Sequence, residues 1–389
     1  MITSITGSQF GDEGKGKITD YLSANTDYVV RWSGGANAGH TIQVDNQQYK
    51  LKLIPSGVFQ NKKVIITGNC IVDPISLEQE LNYLAQYDII PEIYLDTNCV
   101  LSLPIHKTVD FNNDKLLNIG TTKSGIGPTV SDFVNRIAIK VTDVVFGTHD
   151  EKLKTLIKFH TDYLEEVYEE NLKALEILNE LPVAFCSRKE IVARLNRAEN
   201  IIFEGAQGTM LDINHGTYPY CTSTPCISSA IPYVIGIGNL KIDRNIGVFK
   251  PYVTRVGNGG FETEILQGKV KEHLQLVGKE VGTNTGRTRR VGWLDLHDLK
   301  YACELNNFTE LAVTKLDVLT GLESVGVLDK NKNWWSFNGW QTDITDCKTY
   351  ESLPPAAYEL LDFIEKQLEL KISIVSVGPD RKQTIERSL

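Results

Sequence analysis

An apolar, β-branched segment, Ile2-Thr-Ser-Ile-Thr6, runs into a glycine-rich stretch, Gly11-Asp-Glu-Gly-Lys-Gly-Lys17, and Lys17-Ile-Thr-Asp-Tyr-Leu22 can continue as a helix. Strand, glycine turn and helix in that order open a nucleotide-binding βα unit. Further strand-like runs are Tyr28 to Trp32, Val64 to Thr67, Ile201 to Phe203, Leu311 to Thr314 and Ile372 to Val377. Several are almost wholly apolar, as strands covered on both faces should be, so the expected fold class is α/β. The apolar stripe over residues 151–181, closed by Pro182, predicts a helix, and so does the stripe from Pro355 to 369. The polar, aromatic stretch 329–349 carries an Asn-Gly pair and reads as a hairpin excursion. Neither a repeat nor a Gly/Ser linker divides the chain, so residues 1–389 read as one large domain.

Composition narrows the function classes. The 389 residues carry 40 basic and 49 acidic side chains, a net charge of −9, so no whole-protein basic field for nucleic acid exists. A local basic pocket for a phosphorylated ligand stays open. No apolar run approaches a membrane span, and the N-terminus lacks the charged and apolar regions of a signal peptide. Seven scattered cysteines without a Cys-x-x-Cys pair read as reduced thiols. Cytoplasmic localisation is therefore expected, with no nucleic-acid or membrane partner.

Seven short motifs carry the chemistry. Gly11, Gly16 and Lys17 match the G-x-x-x-x-G-K part of a phosphate-binding loop, with Ile18 where a magnesium-binding hydroxyl usually stands. Asp12, inside the loop, is an alternative oxygen donor; the competing reading is a plain glycine turn with solvated charges. Gly34-Gly-Ala-Asn-Ala-Gly-His-Thr41 is a second small-residue loop, with Asn37 and His40 as polar handles. Gly120-Thr-Thr-Lys-Ser-Gly-Ile-Gly-Pro128 can bind an anion or be an ordinary loop. Phe203-Glu-Gly-Ala-Gln-Gly-Thr209 puts Gln207 at the C-terminal end of a strand, where open α/β sheets bind ligands. Gly282-Thr-Asn-Thr-Gly-Arg-Thr-Arg-Arg-Val-Gly292 concentrates three arginines suited to carboxylate or phosphate. Thr314-Lys-Leu-Asp317 ends a strand with a carboxylate that can accept from guanine N1–H and its 2-amino group together. Ser376-Val-Gly-Pro-Asp-Arg381 also follows a strand and can close over the same base.

Taken together and in order, these motifs resemble the adenylosuccinate synthetase family. Gly-Asp-Glu-Gly-Lys-Gly-Lys, Asn-Ala-Gly-His-Thr, Glu-Gly-Ala-Gln-Gly, His-Gly-Thr-Tyr-Pro-Tyr, Thr-Arg-Val-Gly, Val-Gly-Trp-Leu-Asp and Lys-Leu-Asp-Val-Leu span nearly the whole chain. The resemblance implies a large central, mostly parallel sheet flanked by helices, with small excursions near 137–200 and 329–355. It implies a magnesium-dependent ligase that joins L-aspartate to inosine monophosphate (IMP) with GTP, through a 6-phosphoryl intermediate.

By the same matching, Asp12, Lys15, His40 and Gln207 are catalytic. GTP falls to Gly11, Asp12, Glu13, Gly14, Lys15, Gly16, Lys17, Gly39, His40, Thr41, Arg289, Lys315, Leu316, Asp317, Ser376, Val377 and Gly378. IMP falls to Asp12, Lys15, Asn37, His40, Thr122, Arg136, Gln207, Thr222 and Arg287, with Arg136 reaching the neighbouring subunit of a homodimer. Aspartate falls to Thr283, Asn284, Thr285, Gly286, Arg287, Thr288 and Arg289, and the metal to Asp12 and Gly39. Departures from the family pattern are Thr288 within the arginine run, Asn284 for a common threonine, Lys123-Ser124 for Gly-Arg, and the missing glycine pair after Thr222. Two other activities would use the same loops. A phage sister ligase acting on dGMP replaces the catalytic aspartate, which Asp12 argues against. A GTP-binding regulator would bind GTP indifferently to aspartate.

Overall fold

The computed structural model describes residues 1–162, 164–282 and 286–387. Ten strands form the main sheet: β1 (Ile2–Gly7), β2 (Tyr28–Arg31), β3 (Lys63–Ile66), β4 (Ile93–Asp96), β5 (Ala184–Cys186), β6 (Ile201–Glu204), β7 (Arg244–Phe249), β8 (Glu310–Val313), β9 (Ile372–Ser376) and β10 (Thr384–Glu386). Their spatial order is β10-β9-β8-β7-β1-β6-β2-β3-β4-β5. Every neighbouring pair is parallel except β9 with β10, which closes one edge antiparallel. The helix Lys15–Leu22 follows β1 and leads to β2, so the opening βα unit lies at the middle of the sheet.

The apolar strand runs explain this position. Ile5, Val29, Val64, Ile246, Ala312 and Ile374 are fully buried, because helices cover both faces of the sheet. One core cluster joins Ile5 and Ile18 to the helices of residues 74–181; a second packs the helix Pro355–Leu368 against the strands on the other side. A smaller four-stranded sheet (Tyr252–Arg255, Arg290–Asp295, Ser324–Leu328, Trp334–Asn338) stands beside the main one.

Three local expectations need correction or refinement. The stripe over 151–181 is two helices, His149–His160 and Glu165–Glu180, because the backbone is extended at Thr161 and Leu164. Hydrophobic period does not register such a break, since both helices bury the same face against one core. The hairpin between Ser324–Leu328 and Trp334–Asn338 turns at Asp329, whose carboxylate accepts from the N–H groups of Asn331 and Asn333 at 2.8 Å each. The Asn338-Gly339 pair instead ends the second strand. There a side chain on Gly339 would collide with the Leu322 carbonyl, so glycine serves close approach rather than a turn. Within 137–200, the strand β5 joins the main sheet as its far edge.

Candidate active site

The parallel strands all point their C-terminal ends toward one side, and the motif loops leave from those ends. Residues 8–14 follow β1, 32–39 follow β2, 205–208 follow β6, 314–317 follow β8 and 377–378 follow β9. They meet in a cleft of about 1290 Å³, lined among others by Asp12, Lys15, Asn37, His40, Gln207 and Asp317. This is the crevice at which open α/β sheets bind ligands.

The first loop is shaped by left-handed backbone at Gly11 (φ 84°), Asp12 (φ 60°) and Gly14 (φ 87°). Glu13 does not reach into the cleft: its buried carboxylate accepts from the N–H groups of Gln9 (3.0 Å) and Gly11 (2.8 Å), bracing the loop from behind. A Cβ at Gly208 would come within 2.6 Å of Gly11 N, so only glycine lets the β6 loop lie this close. No side chain caps the helix Lys15–Leu22, which leaves its first N–H groups toward the cleft for an anion. Ile18, where a hydroxyl was missed, is fully buried in the core.

The charged groups of the cleft are paired with one another. Lys15 Nζ lies 2.7 Å from Glu13 Oε2 and also donates to the Gln207 carbonyl. Asp12 Oδ2 is 2.7 Å from Arg289 Nε, a charge contact out of line for a hydrogen bond. Lys17 donates to Ser376 Oγ (2.7 Å) and to the carbonyls of Gly378 (2.6 Å) and Gln383 (2.9 Å). The lysine of the phosphate-loop pattern therefore ties the first helix to the turn after β9. Burial pulls its pKa down to about 7, against the neighbouring carboxylates Asp317, Asp380 and Asp20. Burial raises the Asp317 carboxyl, while Lys17 and Lys315 oppose it.

His40 sits in a buried row of its own. Its Nδ1 is 2.9 Å from Glu204 Oε1, and Arg31 donates to its Nε2. A guanidinium can only donate, so the ring carries its proton on Nδ1 and is neutral. Burial lowers its pKa, and Arg31 and Lys15 add to that, while Glu204 works the other way. Glu204 is itself braced by Ser56 N and Oγ, both at 2.8 Å.

Beside these charges lies a group of mainly uncharged side chains. Gln207 has left-handed backbone (φ 50°), and both polar atoms of its side-chain amide are buried without a partner among the described residues. Asn37 accepts from Gly35 N at 3.1 Å and donates to Thr222 Oγ1 at 3.4 Å. Thr122 Oγ1 is 3.0 Å from Ser124 Oγ. Arg287 crosses this region and donates to the carbonyls of Gly120 (2.9 Å) and Thr121 (3.0 Å), joining the arginine loop to the third motif.

A likeness to known proteins follows the same residues. The family model described as adenylosuccinate synthetase matches residues 4–333 and 328–385. The chain belongs to the adenylosuccinate synthetase family. The adenylosuccinate synthetase of Thermodesulfovibrio yellowstonii is 39% identical over 98% of this chain and 97% of its own. That of Staphylococcus aureus is 38% identical, over 98% and 97%. The solved structure of the fully ligated adenylosuccinate synthetase from Plasmodium falciparum superposes with a TM-score of 0.90 at 32% identity, over 99% of both chains. A cyanophage S-2L succinoaminodeoxyadenylate synthetase shares the fold at 20% identity and a TM-score of 0.67. The chain is thus an adenylosuccinate synthetase-type ligase of purine biosynthesis, using GTP to join aspartate to IMP.

Most residues that the family pattern assigns fall in or beside the cleft; the rest divide by place. Gly11, Gly14, Gly16, Gly39, Thr41, Thr122, Thr222, Gly286, Arg289, Lys315, Ser376 and Gly378 line it. Leu316 and Val377 are buried beside it. Thr288 pairs across an antiparallel bridge with Val281 at the root of the arginine loop. Arg136 is exposed and does not line the cleft; it ends the helix Ile126–Asn135 with left-handed backbone. Thr283, Asn284 and Thr285 lie outside the described residues. Arg31, Glu204 and Glu280 were not among the sequence candidates. For Arg31 and Glu204 the one local signal is a charge at the end of an apolar strand, in Val29-Val-Arg31 and Ile201-Ile-Phe-Glu204; Glu280 has none.

The donors near Asp12 fit magnesium in kind. The Asp12 carboxylate and the Gly39 backbone carbonyl are hard oxygens from two loops that line the same cleft.

Proposed function

We propose that Asp12 is the base of the ligation and that His40 is its acid partner once the ring turns from Glu204 and Arg31 to the transferring phosphoryl group, with IMP lying between Asp12 and Gln207. Asp12 takes the proton from N1 of the hypoxanthine, and the electron pair moves to O6. O6 attacks the γ-phosphorus of GTP, the bond to the β-phosphate oxygen breaks, and GDP leaves. The amino group of L-aspartate then adds at C6, loses a proton, and the C6–O bond breaks to release phosphate. The observation that carries this reading is the convergence of Asp12, Lys15, His40, Gln207 and Asp317 on one cleft at the strand ends. Lys15 and the open first turn of the helix Lys15–Leu22 offer the positive charge that phosphoryl transfer needs. The unpartnered Gln207 amide has donor and acceptor capacity left for a base edge, with Asn37, Thr122, Thr222 and Arg287 about the rest of the nucleotide.

Asp317 takes the guanine N1–H and 2-amino group, with Lys315 along the base and the Ser376–Gly378 turn closing it. Arg287 and Arg289 take the carboxylates of aspartate, on the loop 283–289. Magnesium, bound through Asp12 and the Gly39 carbonyl, would neutralise phosphate charge. The remaining phosphate-loop residues, Gly11, Glu13, Gly14, Gly16 and Lys17, shape or face the GTP site. The whole of 1–389 acts as one catalytic unit in the cytoplasm.

Arg136 completes the IMP site of a partner subunit in a homodimer. Its exposure beside the exposed Phe133 (48%) and Val134 (70%) supports this. Mixing Arg136→Leu chains with Asp12→Asn chains should restore up to a quarter of wild-type activity at equal proportions. No recovery would exclude a shared site. The function itself is tested by absorbance with IMP, L-aspartate, magnesium and either GTP or ATP. Adenylosuccinate should form with GTP and poorly with ATP; no product with GTP would end the reading.

A further inference from the structure

Glu280 does not line the cleft, and its side chain is fully buried. Four donors nevertheless converge on its two oxygens. Oε1 accepts from Tyr252 Oη at 2.6 Å, Lys315 Nζ at 2.7 Å and Lys250 Nζ at 3.2 Å. Oε2 accepts from Arg289 Nη1 at 2.7 Å. Lys315 stands at the guanine end of the cleft and Arg289 on the arginine loop, so one carboxylate holds a side chain from each. The backbone repeats the connection: Arg289 N donates to the Glu280 carbonyl at 2.8 Å, and Val281 pairs with Thr288. Lys315 is further tied to the Gly278 carbonyl at 2.8 Å.

Stability alone is a poor reason for this arrangement. A buried ion cluster costs desolvation that an apolar set of similar volume would avoid. Lys250 shows the cost, since burial pulls its pKa down to about 8 despite Glu280 beside it. The carboxylate stays ionised, below the usual range, because Lys250, Lys315 and Arg289 outweigh the burial that would raise it.

We propose that Glu280 is a positioning residue that fixes the guanine-side Lys315 and the aspartate-side Arg289 relative to each other, and so sets the affinity for GTP and L-aspartate together. This rests on the assignment of those two side chains given above. Glu280→Gln keeps the shape but withdraws the charge that holds both cations. The KM values for GTP and for aspartate should each rise about tenfold or more, the loss expected of a charge-assisted hydrogen bond. The KM for IMP should move less than twofold, since no IMP residue touches Glu280. A merely structural role would lower the melting temperature and the active fraction and leave all three KM values unchanged.

Glu280→Gln combined with Lys250→Met removes the buried cation that would otherwise be stranded. It should recover the melting temperature without recovering either KM. Glu280→Asp, which keeps the charge but retracts it by one methylene, reads the same KM pattern if the amide variants fail to fold. Wild-type KM values for GTP and aspartate in the folded variants would overturn the proposal, as would an equal rise for IMP. An inactive wild-type enzyme would instead overturn the functional reading beneath it.

Discussion

Two neighbouring groups of side chains in the cleft, a charged one and an uncharged one, meet their substrates in different states. Around Asp12, Lys15 and His40 the charged groups are paired within the protein: Lys15 with Glu13, Asp12 with Arg289, His40 with Glu204 and Arg31. Around Gln207 the amide is buried and unmet. A ligand at the charged group must exchange one ion pair for another, whereas a ligand at the uncharged group supplies partners that are missing. Selectivity for charge and selectivity for a base edge therefore have different physical origins here. An unsatisfied amide rejects whatever cannot pair with it, while a paired carboxylate is released by an incoming anion.

The largest test of this contrast is Asp12→Asn. The amide can neither accept the N1 proton nor attract Arg289 as an ion, so kcat should fall by roughly 10² to 10⁴. Nearly full turnover in the absorbance assay would remove Asp12 from the charged group's chemistry. Glu204→Gln comes next. It takes the carboxylate from His40 Nδ1 and removes a buried negative charge that acts on Arg31, and chemical denaturation should show about 3–5 kcal/mol of lost stability. A loss under about 1 kcal/mol would mean that the His40 row is not held by charge.

Asp317→Asn is smaller. Replacing one acceptor by an NH₂ group that opposes the guanine 2-amino group should cut the GTP-over-ATP preference by about 10- to 100-fold, the value of a paired base contact. Gln207→Leu should separate the two groups most plainly. The KM for IMP should rise about tenfold while the melting temperature stays level or increases, because two buried unmet atoms disappear. A clear drop in melting temperature would show that the amide is part of the fold rather than of the site.

Acid should act mainly on the charged group. His40 is held below its ordinary value by burial, so its contribution is present above the unfolded histidine value of about 6.5 and declines as pH falls below it. Glu204 is raised by burial but lowered further by His40 and Arg31, to about 2, so its contribution follows between the unfolded carboxyl value of about 4.3 and that limit. Unfolding free energy measured from pH 7 to 4 should fall less steeply in His40→Gln than in the wild type.

The glycine loops were legible in the sequence because backbone approach leaves a mark in composition and spacing, as at Gly11, Gly14 and Gly208. The parallel sheet was legible through apolar runs such as Ile201-Ile-Phe203. The carboxylates behind the loops were not. Glu280 meets Lys315 across 35 residues and Glu204 meets His40 across 164, and no local pattern announces a pairing set by tertiary packing. Glu13 illustrates the same limit from within a motif. Its place in the loop is plain, but that it braces Gly11 from behind appears only when the side chain's direction is known. The break at Thr161 was hidden because the second helix folds back beside the first and both bury residues of one stripe in one core.

The tie between Lys17 and the turn after β9 has a consequence for synthesis. Its three oxygens come from Ser376, Gly378 and Gln383, and Arg381 clamps Asp20 with two contacts of 2.6 Å. The helix Lys15–Leu22 thus waits for partners translated more than 350 residues later, as the Asp20–Arg381 separation of 361 shows. At roughly 5–20 residues per second that delay is on the order of 20–70 s. Until residue 383 has emerged, the phosphate loop lacks its far anchor. A chain not yet translated through residue 383 therefore carries no finished nucleotide site, and competence to consume GTP follows the emergence of that turn.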